Sequence, residues 1–589
     1  MVNLKINGIA LEVEEGTSIL TAAKKANIKI PTLCYNPDLP PWASCGLCIV
    51  RMEGSPKMVR ACTTPVAEGM SVITHDAEII SVRRTVLDLI LSNHPNDCLQ
   101  CPRNGNCELQ ALAAEFGIRQ SPYKKVLSAL PIDDTNPAIV LNPEKCIRCG
   151  RCVKVCQEMQ NVWALEFLGR GIKGRIASAA DAPLGESPCI KCGQCAAHCP
   201  VGAIYERDDT TRVWSALQSP DLYPVVQIAP AVRVALAEEF GMEPGALVTR
   251  QIYAALRRLG FKTVFDTNFS ADLTIMEEGT ELVKRLVDAA GSARASSTIP
   301  LITSCCPAWV DYMEKYYNDM IPNFSTAKSP QQMMGAMIKA YWADKAGINP
   351  DTIYSVSVMP CTAKKWETRR NGDMKSAGHG YDVDIVLTTR ELARMIKQAG
   401  IDILSLPEED ADNPLGPYTG AGTIFGVTGG VMEAAVRSAY FLVTKQELGD
   451  VNFLPVRGLE GVKEAEVDFN NGSKIRIAVA HQMGNIAAVL DRIRAARESG
   501  QDTPYHFVEV MACRGGCIGG GGQPYGCTDE VRAKRSTGLY TDDEKSALRC
   551  SHQNPYIIQA YSEFLGEPNS HKAHELLHTK YEERPLYLK

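Results

Sequence analysis

Cys146-Ile147-Arg148-Cys149-Gly150-Arg151-Cys152-Val153-Lys154-Val155-Cys156 is repeated further on as Cys189-Ile190-Lys191-Cys192-Gly193-Gln194-Cys195-Ala196-Ala197-His198-Cys199-Pro200. Both stretches read C-x2-C-x2-C-x3-C, and the first ends in Gln157 where the second ends in Pro200. Thiols grouped at such short spacing are metal ligands far more often than disulfide partners. Zinc sites favour two separated C-x2-C pairs, so a continuous run of four thiols points to an iron–sulfur centre instead.

The duplicated run resembles the bacterial two-cluster ferredoxin, in which the fourth cysteine of each run ligates the other cluster. On that resemblance Cys146, Cys149, Cys152 and Cys199 hold one [4Fe–4S] centre, and Cys189, Cys192, Cys195 and Cys156 hold the second. Towards the N-terminus, His94, Cys98, Cys101 and Cys107 read H-x3-C-x2-C-x5-C in a Pro/Asn/Gly-rich loop. Helical periodicity over 81–92 delivers that loop. An imidazole in place of one thiolate raises a cluster's potential, as in Rieske centres. Earlier still, Cys34, Cys45, Cys48 and Cys62 read C-x10-C-x2-C-x13-C, a four-thiolate set for a [2Fe–2S] centre with a longer first gap than plant-type ferredoxin. A structural zinc ion is the alternative for these four thiols. Apolar alternation in Leu4, Ile6, Leu11 and Val13 around Asn7-Gly8 predicts a hairpin, and Ile19 to Ala26 a helix. Four clusters in one segment imply a wire that passes single electrons between the surface and something buried.

The bulk numbers agree. The chain has 589 residues, 22 of them cysteine, with 45% hydrophobic and 22% charged residues. So many cysteines in a reducing compartment are not disulfides. A net charge of −6 argues against a nucleic-acid partner, which needs a basic face. No apolar run reaches the roughly 20 residues of a membrane span, and no secretory signal precedes the first strand. The expectation is a cytoplasmic protein.

From Val225 the sequence changes to short apolar strands (225–229, 299–303, 355–359, 475–480 and 506–511) alternating with helical stretches such as 250–259 and 331–340. Three motifs lie at strand-to-loop exits, where open α/β sheets carry their ligands: Thr303-Ser304-Cys305-Cys306-Pro307-Ala308-Trp309, Met359-Pro360-Cys361-Thr362-Ala363-Lys364-Lys365, and Glu509-Val510-Met511-Ala512-Cys513-Arg514-Gly515-Gly516-Cys517. These resemble the three signatures of the [FeFe]-hydrogenase family, and the likeness runs from residue 1 to about residue 525.

The resemblance implies that Cys306, Cys361, Cys513 and Cys517 hold a [4Fe–4S] subcluster. Cys517 also bridges to a two-iron unit carrying CO, CN and a bridging dithiolate amine, the whole being the H-cluster. It implies proton delivery by Cys305 along a path from Glu278, Glu281 and Ser325. Lys364 donates to a cyanide, and Met359 and Met511 pack against the two-iron unit. From the residues alone, adjacent Cys305 and Cys306 cannot easily both face one cluster from an extended segment, so one is free for another task. A thiol's pKa lies within reach of neutral pH. Cys305 is otherwise a buried structural thiol, Lys364 a surface lysine, and Met359 and Met511 ordinary core. Glu278 and Glu281, three apart on a helix, read as a solvated charged face. Lys365 reads as a surface lysine.

Gly519–Gly522 allow close backbone approach or positive φ, and no Gly-Lys-Ser/Thr ending supports a nucleotide loop. Gly429-Gly430 suggest similar packing near the cofactor. Cys527 and Cys550 suit no cluster and read as structural. The expected architecture is an α+β multidomain chain: a β-grasp [2Fe–2S] ferredoxin domain (1–79), a [4Fe–4S] domain with one histidine and three cysteine ligands (80–125), a 2[4Fe–4S] ferredoxin domain (138–210), an α/β H-cluster domain (222–525) and a small-subunit-like tail (526–589). The resemblance is to the catalytic subunit of NADP-reducing, electron-bifurcating hydrogenases of anaerobes. It implies H2 and protons as substrates, flavin/NAD(P)-binding and small Fe–S subunits as partners, and ferredoxin as a further electron carrier. A monomeric ferredoxin hydrogenase, a complex I-like electron-transfer subunit and a hydrogen sensor are the alternatives.

Overall fold

Alternation makes the first strand: Val2, Leu4 and Ile6 are buried while Asn3 and Lys5 are exposed, so one face of Val2–Ile6 covers a core. Asn7 and Gly8, both at positive φ, turn the chain into Ile9–Val13, as a two-residue hairpin requires. In this computed structural model, which describes residues 1–126, 130–291, 298–469 and 474–587, the chain divides into two units. The first is Met1–Met159, Trp163–Cys189 and His198–Tyr205, and the second is Gln160–Val162, Ile190–Ala197 and Glu206–Lys589.

In the first unit a five-stranded sheet runs in the order Ile9–Val13, Val2–Ile6, Met70–Ile73, Ile49–Met52, Met58–Arg60. Helix Ile19–Lys25, N-capped by Ser18, packs on it through Ile19, Leu20, Ala22 and Ala23. Helix Ala77–Asn93 is N-capped by Asp76 and stops at His94, whose extended backbone leads into the next cysteine loop. Helix Glu108–Glu115 begins immediately after Cys107. Arg151 grips Glu108 with two hydrogen bonds of 2.6 and 2.8 Å, tying that helix to the first ferredoxin-like run.

The second unit holds two four-stranded sheets. One is wholly parallel, in the order Thr263–Asp266, Tyr223–Ile228, Ile353–Met359, Ile385–Thr388. The other runs Leu301–Ile302, Phe507–Met511, Lys474–His481, Val462–Asp468, and only its last pair is antiparallel. Strands buried on both faces read as apolar runs, as in Val225-Val226, whereas Glu509 interrupts the run from Phe507 to Met511 although it too is buried. The ladder at 301–302 is shorter than the expected 299–303, because Pro300 has no N–H to contribute. The helix expected over 331–340 starts at Pro330 and continues through a wider turn to Trp342. The tail is mostly helical (Asp529–Lys545, Pro555–Ala560, His571–Leu577) and is tied down by buried polar contacts. Arg535 pairs with Glu238, Arg437 with Asp543, and Asn554 and Ser551 with Asp272.

Candidate metal centres and active site

The carboxyl ends of the strands Ile353–Met359 and Phe507–Met511, and the loop after Leu301–Ile302, deliver the three motifs to one cavity. Its walls include Cys305, Cys306, Cys361, Cys513 and Cys517, together with Met359, Met511 and Lys364. It encloses about 80 Å³ open to the centre of a water-sized sphere, well beyond the roughly 10–15 Å³ that one water needs. The lining is almost wholly carbon and sulfur, with Ala229, Pro230 and Phe425 among its apolar walls.

The thiols crowd one another. Burial pushes Cys361 up to about 12, and the nearby Cys306 adds to the rise. Burial also raises Cys306, Cys513 and Cys517, with Cys306 and Cys361 adding to the rise at the last two. Neutral thiols are the stable form without metal, and a cluster that takes them as thiolates replaces those protons with iron. Backbone N–H groups separate the two adjacent cysteines. Those of Ala308, Trp309 and Ala512 favour the thiolate of Cys306, at the start of helix Pro307–Tyr316. Burial dominates at Cys305, followed by the charge of Glu278. Both cysteines line the cavity, and their neighbours distinguish them.

Lys364 donates to the carbonyl of Cys305 (3.1 Å) and to Oε2 of Glu367 (3.0 Å), which leaves one of its three N–H groups for the cavity it lines. Glu367 is held in turn by Ser329 and Gln331, at 2.9 and 3.0 Å, and Gln331 by Ser357 at 3.0 Å. These supporting residues were not singled out in the sequence, where only burial beside a motif lysine could have marked them. Lys365 corrects an expectation. It is buried and bound to Asp209 (2.7 Å) and Glu391 (3.0 Å), because its helix, Ala363–Glu367, is enclosed on both sides.

Glu278 also departs from the solvated face expected of it. It is buried on helix Thr267–Gly291, and burial raises it to about 7, with Ser325 and Ser304 opposing the rise. Neither of its oxygens has a partner at ordinary hydrogen-bond geometry, although both serines are close enough to affect its charge. Ser325 donates to Oε2 of Glu281 at 3.3 Å, and Glu281, its side chain 12% exposed, pairs with Arg285. Glu278 thus influences Cys305 on one side and lies near Ser325 on the other, and Ser325 bonds the partly exposed Glu281.

Close approach, rather than positive φ, explains the glycine run. A Cβ at Gly520 would strike the carbonyl of Pro360, and one at Gly521 the carbonyl of Cys192. Gly516 does need its left-handed φ, and a Cβ there would also meet the sulfur of Met511. A Cβ at Gly429 would strike the carbonyl of Val456, and one at Gly430 that of Ile424, while the amides of Gly429 and Met432 donate to buried Glu509, both at 2.6 Å. The stretch Ile190–Ala197 belongs to this unit. Gln194 donates to Gly519 (2.9 Å), Thr362 to the Lys191 carbonyl (2.6 Å), and Lys191 pairs with Asp311 (2.7 Å). Cys192 is near enough to Cys513 to raise it.

In the first unit Cys48 and Cys62 lie 3.4 Å apart, and the Cys45 amide donates to Cys34 sulfur at 3.4 Å. Two close pairs suit two irons that each take two thiolates. Cys146, Cys149, Cys152 and Cys199 line one apolar cavity with Leu141, Ile176 and Ile204. Cys156 is raised by burial and then by Cys189. Cys195 lies on the short helix Gln194–His198. Cys101 is near enough to raise Cys107, and Cys98 opens the turn before them. His94 Nε2 is buried with no hydrogen-bond partner, which fits a nitrogen that ligates a metal. Among the described residues, none of these cysteine sets brings three ligand atoms within 4.8 Å of one another. One zinc ion with four thiolates needs sulfurs about 3.8 Å apart. The wider spacing fits polynuclear clusters.

Five family models match in sequence order: a 2Fe-2S iron-sulfur cluster binding domain (1–77), the NADH-ubiquinone oxidoreductase-G iron-sulfur binding region (83–122), a 4Fe-4S dicluster domain (145–204), the C-terminal domain of the iron only hydrogenase large subunit (223–521), and the iron hydrogenase small subunit (529–584). The chain is 48% identical to the NADP-reducing hydrogenase subunit HndD of Solidesulfovibrio fructosivorans, across 99% of each chain. It is 39% identical to iron hydrogenase 1 of Clostridium pasteurianum, covering 99% of this chain and 100% of that one. The [FeFe]-hydrogenase HydA1 from Chlamydomonas reinhardtii superposes with a TM-score of 0.56 at 41% identity, over 64% of this chain and 100% of that chain.

Proposed function

The chain belongs to the iron-only hydrogenase family, and from that membership we propose which of its residues carry the interconversion of H2 with protons and electrons. It is a hydrogenase with iron–sulfur domains that relay electrons. Cys306, Cys361, Cys513 and Cys517 are its H-cluster ligands. The observation that carries this is the convergence of these four thiols, from three distant loops, on one apolar cavity. The bound cofactor supplies a redox-active iron with a position open to H2.

The protein's own groups do the rest. Cys305 holds a proton at the cavity wall. Glu278, close to neutral in pKa, exchanges it with the surface through Ser325 and Glu281. Lys364, fixed by Glu367, turns its remaining N–H towards an anionic ligand in a buried, apolar site, where a preorganised donor is worth most. Met359 and Met511 supply soft, polarisable walls. One [2Fe–2S] and three [4Fe–4S] centres, on the cysteine sets above and His94, feed electrons inward, and the Cys192–Cys513 approach is the last step. The matured protein should show infrared bands of CO and CN, and Cys517→Ala should lose them with the two-iron unit. Bands that persist unchanged in that variant would overturn the ligand assignment.

HndD is by its name a subunit of an NADP-reducing enzyme. By its likeness over the full chain, this protein works in the cytoplasm beside flavin/NAD(P)-binding and small Fe–S subunits, with ferredoxin as a second carrier. Native mass and flavin analysis test this: a multi-subunit particle with flavin is expected, and a lone polypeptide without flavin would indicate a ferredoxin-linked monomer instead. Among the described residues, no helix is long and apolar enough to cross a membrane.

A further inference from the structure

Cys550 was left without a role by its spacing, yet it is one of three metal-binding side chains that the fold gathers outside the cavity. The candidate ligand atoms of Glu447, Cys550 and His552 all lie within 4.8 Å of one another. Among the described residues this is the only trio of histidine, cysteine and carboxylate side chains so closely grouped. We propose that Glu447, Cys550 and His552 form a site for a single borderline divalent cation, zinc above all, that clasps the C-terminal segment to the end of helix Gly430–Thr444.

The donor set argues for the ion. A thiolate, an imidazole and a carboxylate together suit Zn2+, whereas Ca2+ and Mg2+ take oxygen alone. Three protein ligands leave a fourth tetrahedral position, and Glu447, its side chain 54% exposed, opens that side to water. Zinc bonds of about 2.0–2.3 Å put ligand atoms roughly 3 to 4 Å apart. The trio therefore closes by about 1 Å on binding, a movement that the exposed Glu447 can supply.

The neighbours hold each ligand in an orientation suited to metal. The His552 ring stacks on Phe441, with centroids 4.2 Å apart and planes 5° from parallel. Its Nδ1 meets the Ser438 hydroxyl at 3.1 Å, and its Nε2 faces the Glu447 carboxylate at 3.2 Å. A second group on Nδ1 is the usual way a ligating histidine is fixed. Gln553 donates to Oε2 of Glu447 at 3.1 Å, and so supports the carboxylate as well. Ser551, between the two tail ligands, is anchored by a 2.8 Å bond to buried Asp272. The adjacent cations Arg437 and Arg549 are both paired with Asp543, so their charge is offset locally. Burial holds the Cys550 thiol up at about 11, so it is protonated at neutral pH without metal and gives up that proton on binding.

The test uses the matured holoenzyme with its iron complete, so that empty cluster sites do not compete. Zinc is added, excess is removed by dialysis, and metal is counted alongside zinc K-edge absorption. About one zinc per chain is expected, with one sulfur near 2.3 Å and the remaining ligands nitrogen or oxygen near 2.0–2.2 Å. Cys550→Ser should lose the sulfur shell and His552→Gln most of the zinc. Iron content and H2 turnover should be unchanged, because neither residue touches the cavity. Absence of retained zinc, zinc without a sulfur neighbour, or undiminished zinc in both variants would overturn the site.

Discussion

The candidate ligand cysteines before residue 205 and the four of the cavity after residue 300 are brought together by opposite designs. In the first region ligands come from short local runs, as in Cys146, Cys149 and Cys152, and the loop itself sets the spacing. Cys146, Cys149, Cys152 and Cys199 share a small compartment walled by Leu141, Ile176 and Ile204. In the second region Cys306, Cys361 and Cys513 leave three different strands or strand ends of two sheets, so their spacing is set by the whole fold. Around that cavity stand titratable groups, Cys305, Lys364 and, behind them, Glu278, to which the proposed mechanism gives the handling of protons. A local run suffices to carry an electron, whereas bond chemistry needs a base, a donor and a dry wall placed independently of the ligands.

One assay separates the two designs: isotope exchange between D2 and water, which needs the cavity and its proton path but no net flow of electrons. Cys305→Ser should have the largest effect, lowering exchange by about 10²–10⁴-fold, the usual worth of a positioned proton donor. Its iron content and cluster spectra should match those of the unmodified protein, and near-normal exchange would remove Cys305 from the path. Glu278→Gln should fall at the lower end of that range. With its carboxyl raised to about 7, exchange in the parent should respond to pH around neutrality: Glu278 is mainly protonated below that pH and mainly charged above it. That response should vanish in the variant, and an unaltered pH profile would assign it to another group. The same raised pKa makes the folded state lose stability as pH rises from about 4.5 through 7, because over that window the carboxyl of the unfolded chain ionises while the buried one keeps its proton.

Cys149→Ser should leave exchange nearly intact while removing one cluster and slowing H2 oxidation with a protein electron acceptor. Exchange lost in step with oxidation would mean that the wire and cavity are not separable. The smallest effect belongs to His94→Cys, which should lower the potential of one centre, read by redox titration, with little change in either rate.

The local runs were legible because chemistry and spacing coincide within a dozen residues. The α/β alternation was legible too, since strands buried on both faces, such as Tyr223–Ile228, read as apolar runs. Legibility failed where burial depended on distant packing. Lys365 reads like any lysine of a short helix, and only Asp209 and Glu391 arriving from elsewhere make it internal. Glu278 and Glu281 share a helix face, yet one is enclosed and the other reaches Arg285 at the edge. The Glu447–Cys550–His552 group escaped notice for the same reason, since its carboxylate lies about a hundred residues from its thiol.

Diffraction from crystals of the fully matured enzyme, with anomalous signal collected at the iron edge, tests the central claim most directly. A six-iron group is expected, bonded to the sulfurs of Cys306, Cys361, Cys513 and Cys517, with the Cys305 sulfur beside it and unbonded. Iron on Cys305 in place of Cys306, or zinc in that cavity, would contradict it.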